Sequence, residues 1–195
     1  MIFHDEPGQT PIDAAEADAL IPPLSTQEEL NAWEEMNIRS ADIWALSPRA
    51  MKRAEPFSED CLFDLHRRMF DQTWRWAGKL RDRDRNIGVP FFKIRVELRQ
   101  LLDDARYWRD NETYEFDEMV MRFHHRLVQI HLFPNGNGRH ARLVADVISR
   151  KAGNPRYSWG GKSLVGAGSA RSDYLNALRS ADNGDHSPLV AFCRS

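Results

Sequence analysis

The sequence predicts a mainly α-helical bundle with one small β-hairpin. Apolar residues recur every three or four positions along most of the chain, and one stretch, 78–92, breaks that recurrence with Gly78, Gly88 and Pro90. At 195 residues the chain is the size of one ordinary domain. Its 42% apolar and 29% charged residues suit a packed globular core rather than wholesale disorder.

Residues 1–24 are acidic and punctuated by Pro7, Gly8, Pro11, Pro22 and Pro23, which predicts an irregular arm with one short helical piece. Ser25 stands three residues before Glu28 as a capping box, and Leu30, Trp33, Ile38 and Trp44 supply apolar anchors for a helix or helix pair. Ser58 and Glu59 open a further helix carrying Leu62, Leu65, Met69 and Phe70. The stretch 78–92 follows as the hairpin. Two amphipathic helices come next, one on Leu98, Leu101, Leu102, Ala105 and Trp108, the other on Val120, Phe123, Leu127 and Ile130. Ala141, Val144, Ala145 and Ile148 mark another, which Gly153 and Pro155 should close. Tyr174, Leu175 and Leu178 begin a helix, and 189–192 belong to a last one. The expected division is an N-terminal arm with a possible inhibitory helix at 1–57 and a catalytic domain at 58–195.

Lys and Arg (27) nearly balance Asp and Glu (29), so no global charge favours a nucleic acid, and phosphate binding must be local. Two widely separated cysteines, Cys61 and Cys193, speak against a disulfide framework and for a reducing, cytoplasmic setting. No secretory signal pattern or stretch of roughly 18–20 apolar residues is present, so no membrane partner is expected.

The informative segment is His131-Leu-Phe-Pro-Asn-Gly-Asn-Gly-Arg-His-Ala-Arg142. Gly136, Asn137 and Gly138 form a glycine-rich turn ahead of a helix start, where backbone N–H groups and the helix dipole favour an anion. Arg139 and Arg142, three residues apart on one helical face, suit bidentate binding of phosphate oxygens. A plainer reading has the turn merely ending one helix and capping the next, with the arginines solvated or paired to Asp146. The histidine, phenylalanine and both arginines at fixed offsets argue against that.

HLFPNGNGRHAR resembles the signature of the Fic family, HPFxxGNGRxxR, in which an acidic residue commonly precedes GNG. The flanks NIGVPFFKIRVELRQLLDDARYW, RFHHRLVQIH, TPIDAAEADALIP and STQEELNAWEEMNI are similar to the bacterial group called mobile mystery protein B. The resemblance implies a Fic-type helical bundle that binds ATP over the motif loop and transfers AMP to a Ser, Thr or Tyr hydroxyl of a protein. It implies that His131 takes the proton of that hydroxyl, that Phe133 anchors the loop, that Gly136, Asn137 and Gly138 cradle phosphates, and that Arg139 and Arg142 stabilise the leaving pyrophosphate. Ile87, Gly88, Val89, Pro90 and Phe91 resemble the flap that pairs with an extended target segment, a β-augmentation that reads little sequence.

Two departures bear on chemistry. Leu132 replaces proline, and Asn135 stands where the family carries Asp or Glu to hold Mg2+, so metal affinity should be weaker although Mg2+ remains the expected ion. Family members are also held off by a glutamate in the pattern (S/T)xxxE(G/N), which engages the second motif arginine. Ser25 and Glu29 meet its first part, with Leu30 where Gly or Asn is expected; this gives either Glu29 as the inhibitory residue, with Glu34 and Glu35 as the next choices, or a plain surface glutamate on a capped helix. His124 is expected to be a hydrogen-bonded core histidine, His140 packing or solvent, and the run Lys79, Arg81, Arg83, Arg85 a solvated face. The alternative function is a nucleotide-binding regulatory or toxin–antitoxin-type module with little turnover, or transfer of phosphate or another nucleotide-derived group.

Overall fold

A computed structural model describes residues 18–161 and 169–195. Most of the arm, with its expected short helical piece, lies outside the described residues. The helices are α1 (Gln27–Ala45), α2 (Pro48–Arg53), α3 (Glu59–Phe70), α4 (Ile94–Asp110), α5 (Phe116–Ile130), α6 (Asn137–Lys151), α7 (Ser169–Asp182) and α8 (Ser187–Arg194). Short 3-10 turns at Phe91–Lys93 and Trp159–Gly161 precede α4 and α7.

The packing follows the apolar stripes. Leu98, Leu101, Leu102 and Ala105 of α4 and Val120, Phe123, Leu127 and Ile130 of α5 are buried against a shared core, and α5 packs in turn on α6. The helix α1 lies on α3, and α8 packs on α7 and α5. Capping residues set the starts: Thr26 accepts from the Glu29 amide at 3.1 Å, and Ser58 from the Cys61 amide at 3.2 Å. The capping box of α1 is therefore Thr26–Glu29, one residue later than Ser25–Glu28. The run STQEE offers both registers, and the later one puts Leu30 into the core.

The buried stripe of α1 differs from the apolar anchors read in sequence. It runs Leu30, Glu34, Asn37, Ala41, Ala45, whereas Trp33 and Trp44 are more than a third exposed. Asn37 explains its own burial: its amide donates to the Arg68 carbonyl at 3.0 Å and accepts from the Gln72 amide at 3.1 Å, tying α1 to the end of α3.

The expected hairpin does not form a strand ladder. Among the described residues the isolated bridge Leu20–Trp74 is the β pairing, and 78–90 is an irregular flap. Within the flap, the buried guanidinium of Arg81 rather than a partner strand satisfies the carbonyls of Arg83 and Val89. No helix among the described residues is long and apolar enough to cross a membrane.

Candidate functional site

The helix α5 ends at Ile130 and His131 caps it in the left-handed region, φ 57° and ψ 66°. Glycine usually takes that place, and a residue with a Cβ there costs roughly 1–3 kcal/mol. The strain turns the chain sharply so that Leu132 and Phe133 enter the core, 1% and 0% exposed. Phe133 stacks on the ring of His66 with centroids 3.6 Å apart and meets Phe63 and His140 edge-on. It anchors the loop.

His66 is fully buried, and its partners fix its tautomer: Nδ1 accepts from the Gly78 amide at 2.9 Å, so Nε2 carries the proton and donates to the Asn135 carbonyl at 3.1 Å. The side chain of Asn137 closes the loop from within, accepting from the Phe133 amide at 2.9 Å and donating to the Phe133 carbonyl at 2.8 Å. Its side chain is thus spent on the loop. Gly136 sits at φ 76°, and a Cβ there would lie 2.3 Å from the ring of Phe70, so only glycine fits.

From this turn α6 begins at Asn137 without a side-chain cap. Its first-turn amides, at Asn137, Gly138 and Arg139, are the donors that a phosphate-binding helix start presents. Arg139 and Arg142 rise from the same face. Neither pairs with Asp146, which instead accepts from Arg156 at 2.7 Å and Tyr157 at 3.1 Å. The Arg142 guanidinium lies 5.3 Å from the ring centroid of Tyr174.

Arg139 donates to Glu34 of α1 at 2.6 Å and lies over Phe70, 5.1 Å from its centroid. The second oxygen of Glu34 accepts from the Trp74 indole, also at 2.6 Å. A cation in the first turn of a helix opposes the dipole, and this nearly buried carboxylate offsets that conflict. Glu29 does not play this part. Its carboxylate accepts from the amides of Ser25 at 2.7 Å and Thr26 at 3.0 Å, which hold it below its ordinary pKa at the exposed start of α1. Among the described residues Glu29 does not pair with Arg142; the glutamate that meets a motif arginine is Glu34, and that arginine is Arg139. Position 34 lies one turn further along, on the buried stripe, whereas position 29 faces solvent.

Of the flap residues Ile87, Gly88, Val89, Pro90 and Phe91, Gly88 is brought directly against the histidine. A Cβ at Gly88 would lie 2.7 Å from the His131 Cβ. Ile87, Phe91 and Phe92 turn apolar side chains to solvent, 43%, 42% and 69% exposed. Arg81, expected on a solvated face, is instead buried beneath the flap.

Burial and then the Arg81 charge push the His131 pKa down to about 4, against a backbone hydrogen bond at Val128, with Arg85 adding a smaller push. His131 is therefore neutral at pH 7, the form that accepts a proton. His124 and His140 behave as packing residues. His124 Nε2 pairs with the Tyr174 hydroxyl at 2.9 Å, His140 Nε2 with the Leu62 carbonyl at 2.9 Å, and burial pushes them down to about 3 and about 4. Burial also holds His66 well below the ordinary histidine value.

These four histidines predict acid sensitivity. Below the unfolded value of 6.5 the unfolded chain takes up protons that the folded chain refuses, so stability falls as pH drops from 6.5 toward 4. Thermal melts at pH 7.5 and pH 5 should show a clearly lower Tm at pH 5, and an unchanged Tm would contradict the burial of these rings.

The residues present do not fit a protein-held Mg2+. The Asn135 amide oxygen turns back to accept from the Gly136 amide at 2.6 Å, and it carries no charge. Among the described residues no group of three His, Cys, Asp or Glu side chains is placed to hold a metal ion.

Comparison with known proteins matches residues 56–149 to the Fic/DOC family. The chain is 30% identical over 146 residues to protein adenylyltransferase fic-1 of Caenorhabditis briggsae, covering 72% of this chain and 27% of that protein. It is 36% identical over 135 residues to protein adenylyltransferase Fic of Drosophila mojavensis, covering 67% of this chain and 26% of that one. The chain thus spans well under half the length of these curated relatives. Among solved structures, BepC, a VirB-translocated effector of Bartonella tribocorum with bound AMPPNP, superposes with a TM-score of 0.70 at 17% identity, covering 93% of this chain and 97% of that one. The matched stretch takes in the whole of the loop just described, and the chain belongs to the Fic/DOC family.

Proposed function

We propose that this chain is a protein adenylyltransferase that moves AMP from ATP to a Ser, Thr or Tyr hydroxyl of a protein and is held off by Glu34. The observation that carries the reading is the juxtaposition at the motif loop. A neutral, buried His131 stands beside an uncapped helix start whose first turns carry Arg139 and Arg142. The adenylyltransferase names of the relatives and the ATP analogue on BepC support ATP as the nucleotide.

In the proposed reaction the target hydroxyl gives its proton to His131 while its oxygen attacks the α-phosphorus. The bond to the β-phosphate oxygen breaks and pyrophosphate leaves. General-base help of this kind is worth roughly two to four orders of magnitude. A base pushed down to about 4 is weak as well as neutral, and the negative phosphates of ATP would raise it by favouring the imidazolium. The first-turn amides of α6 and the two arginines supply positioning and charge stabilisation for the β and γ phosphates. Glu34 puts a carboxylate on Arg139 where a phosphate oxygen would compete for it. The flap would seat an extended target segment beside His131, with Ile87 and Phe91 as apolar contacts. Mg2+ would enter with the nucleotide, and no step is assigned to it. Two free thiols and an ATP substrate fit a cytoplasmic setting.

A second reading, a nucleotide-binding regulatory module with little turnover, is favoured by the Glu34–Arg139 pair and the neutral Asn135. Incubation with ATP labelled at the α or the γ phosphate separates the readings. AMP transfer labels protein from α-labelled ATP alone. Label from γ-labelled ATP would mean phosphate transfer, and saturable ATP binding with no label from either would mean the module.

A further inference from the structure

Arg81 is the one arginine of its run that the fold buries, with its side chain 1% exposed. Its Nε donates to the His131 carbonyl at 2.6 Å and its Nη1 to the Arg83 carbonyl at 2.9 Å. Its Nη2 donates to the Val89 carbonyl of the flap and, at 3.3 Å, to the Ile130 carbonyl at the end of α5. The Arg81 amide donates to the Leu132 carbonyl at 3.0 Å, so one residue engages three successive carbonyls around the strained cap. The charge sits at the C-terminal end of α5, where the helix dipole favours a cation.

The outer side of the same group carries the flap. Asp84 lies 3.8 Å from Nη1 and accepts from the Phe91 amide at 2.8 Å. A Cβ at Gly88 would meet Arg81 Nη2 at 2.8 Å as well as the His131 Cβ at 2.7 Å, so flap, guanidinium and histidine are in mutual contact. A fork of five fixed donors makes these divergent contacts, and a lysine cannot reproduce them.

We infer that Arg81 is a positioning residue that binds the target-docking flap and the backbone of His131 into one unit, so that a target seated on the flap is set at a fixed distance from the base. The inference rests on the transfer reading above for its kinetic consequence, and its structural consequence stands alone. Misplacing a reacting group by about 1 Å costs up to roughly a hundredfold in rate, whereas nucleotide contacts made by α6 do not pass through Arg81.

The test uses the full chain with Glu34→Gly as parent and compares Arg81→Gln, Arg81→Lys and Gly88→Ala. Arg81→Gln should lower the maximal self-modification rate about 10–100-fold while the ATP concentration for half that rate stays within about twofold. Arg81→Lys should recover only part of the rate. Gly88→Ala, which leaves the core intact, should lose rate in the same way by pushing flap and histidine apart. Hydrogen exchange gives a readout that needs no activity: amides of 87–92 and of 130–133 should loosen together in Arg81→Gln while α1 and α3 keep their protection. A parent that labels nothing sinks the transfer reading and leaves the exchange result to decide this one. Parent-like rates in both Arg81→Gln and Gly88→Ala, or loosening of 87–92 alone, would overturn the inference. So would a rate loss no larger than the loss of folded protein in thermal melts.

Discussion

Replacing Glu34 by glycine is expected to raise self-modification from ATP by about tenfold or more, the scale of one charge-assisted hydrogen bond to a phosphate-binding arginine, roughly 1.5–3 kcal/mol. In the resting chain the carboxylate holds Arg139 at 2.6 Å and is itself locked by the Trp74 indole, so a nucleotide must displace a preorganised partner. Glycine removes that partner at a helix cost of about 1 kcal/mol and leaves the indole without its acceptor, so some loss of Tm accompanies the gain in rate. Glu34→Gln separates the effects: it keeps an acceptor for Trp74 and removes the charge, and should reach a similar rate with less loss of stability. Glu29→Gly serves as the control. It breaks the Thr26–Glu29 capping box, lowers the Tm, and leaves the rate where it was, because Glu29 touches no motif residue. Initial rates with α-labelled ATP, alongside thermal melts, check all three.

Replacing His131 by alanine should lower transfer by two to four orders of magnitude. The buried imidazole is the group of the loop able to take a proton at neutral pH, and the arginines remain charged throughout. Alanine at φ 57° retains the strain of the left-handed cap that histidine already bears, so the loop keeps its path and nucleotide affinity should change little. The signature is a fall in rate at unchanged half-saturating ATP. A parallel fall in ATP binding would instead make His131 a loop-building residue.

How much of this was legible in the sequence differs by residue. The helices carrying Leu98 to Ala105 and Val120 to Ile130 follow directly from apolar spacing, and the loop follows from Gly136, Gly138 and the two arginines. Glu34 ranks behind Glu29 in the sequence because a short pattern is matched from its first residue, whereas burial decides which carboxylate reaches inward. The signal was present: Leu30, Ala41 and Ala45 define a stripe that passes through 34 and 37, and two polar residues on an otherwise small, apolar stripe mark a buried polar contact. Arg81 was hidden by company, since an alternating Arg–Asp run reads as solvated surface, and only the tertiary path of the flap shows that four carbonyls converge on one guanidinium. The missing hairpin has the same origin. Glycine and proline mark a break from helix but cannot reveal that a side chain will take the place of a partner strand.

In the proposed reaction His131 drives AMP transfer from a site restrained by Glu34. The most direct measurement is the labelling from α-labelled ATP of wild type, Glu34→Gly and the double variant Glu34→Gly with His131→Ala, with the modified residue identified by mass. Weak label is expected in the first, strong label with the mass of AMP on a hydroxyl side chain in the second, and near-background label in the third. Equal labelling of the second and third would contradict it.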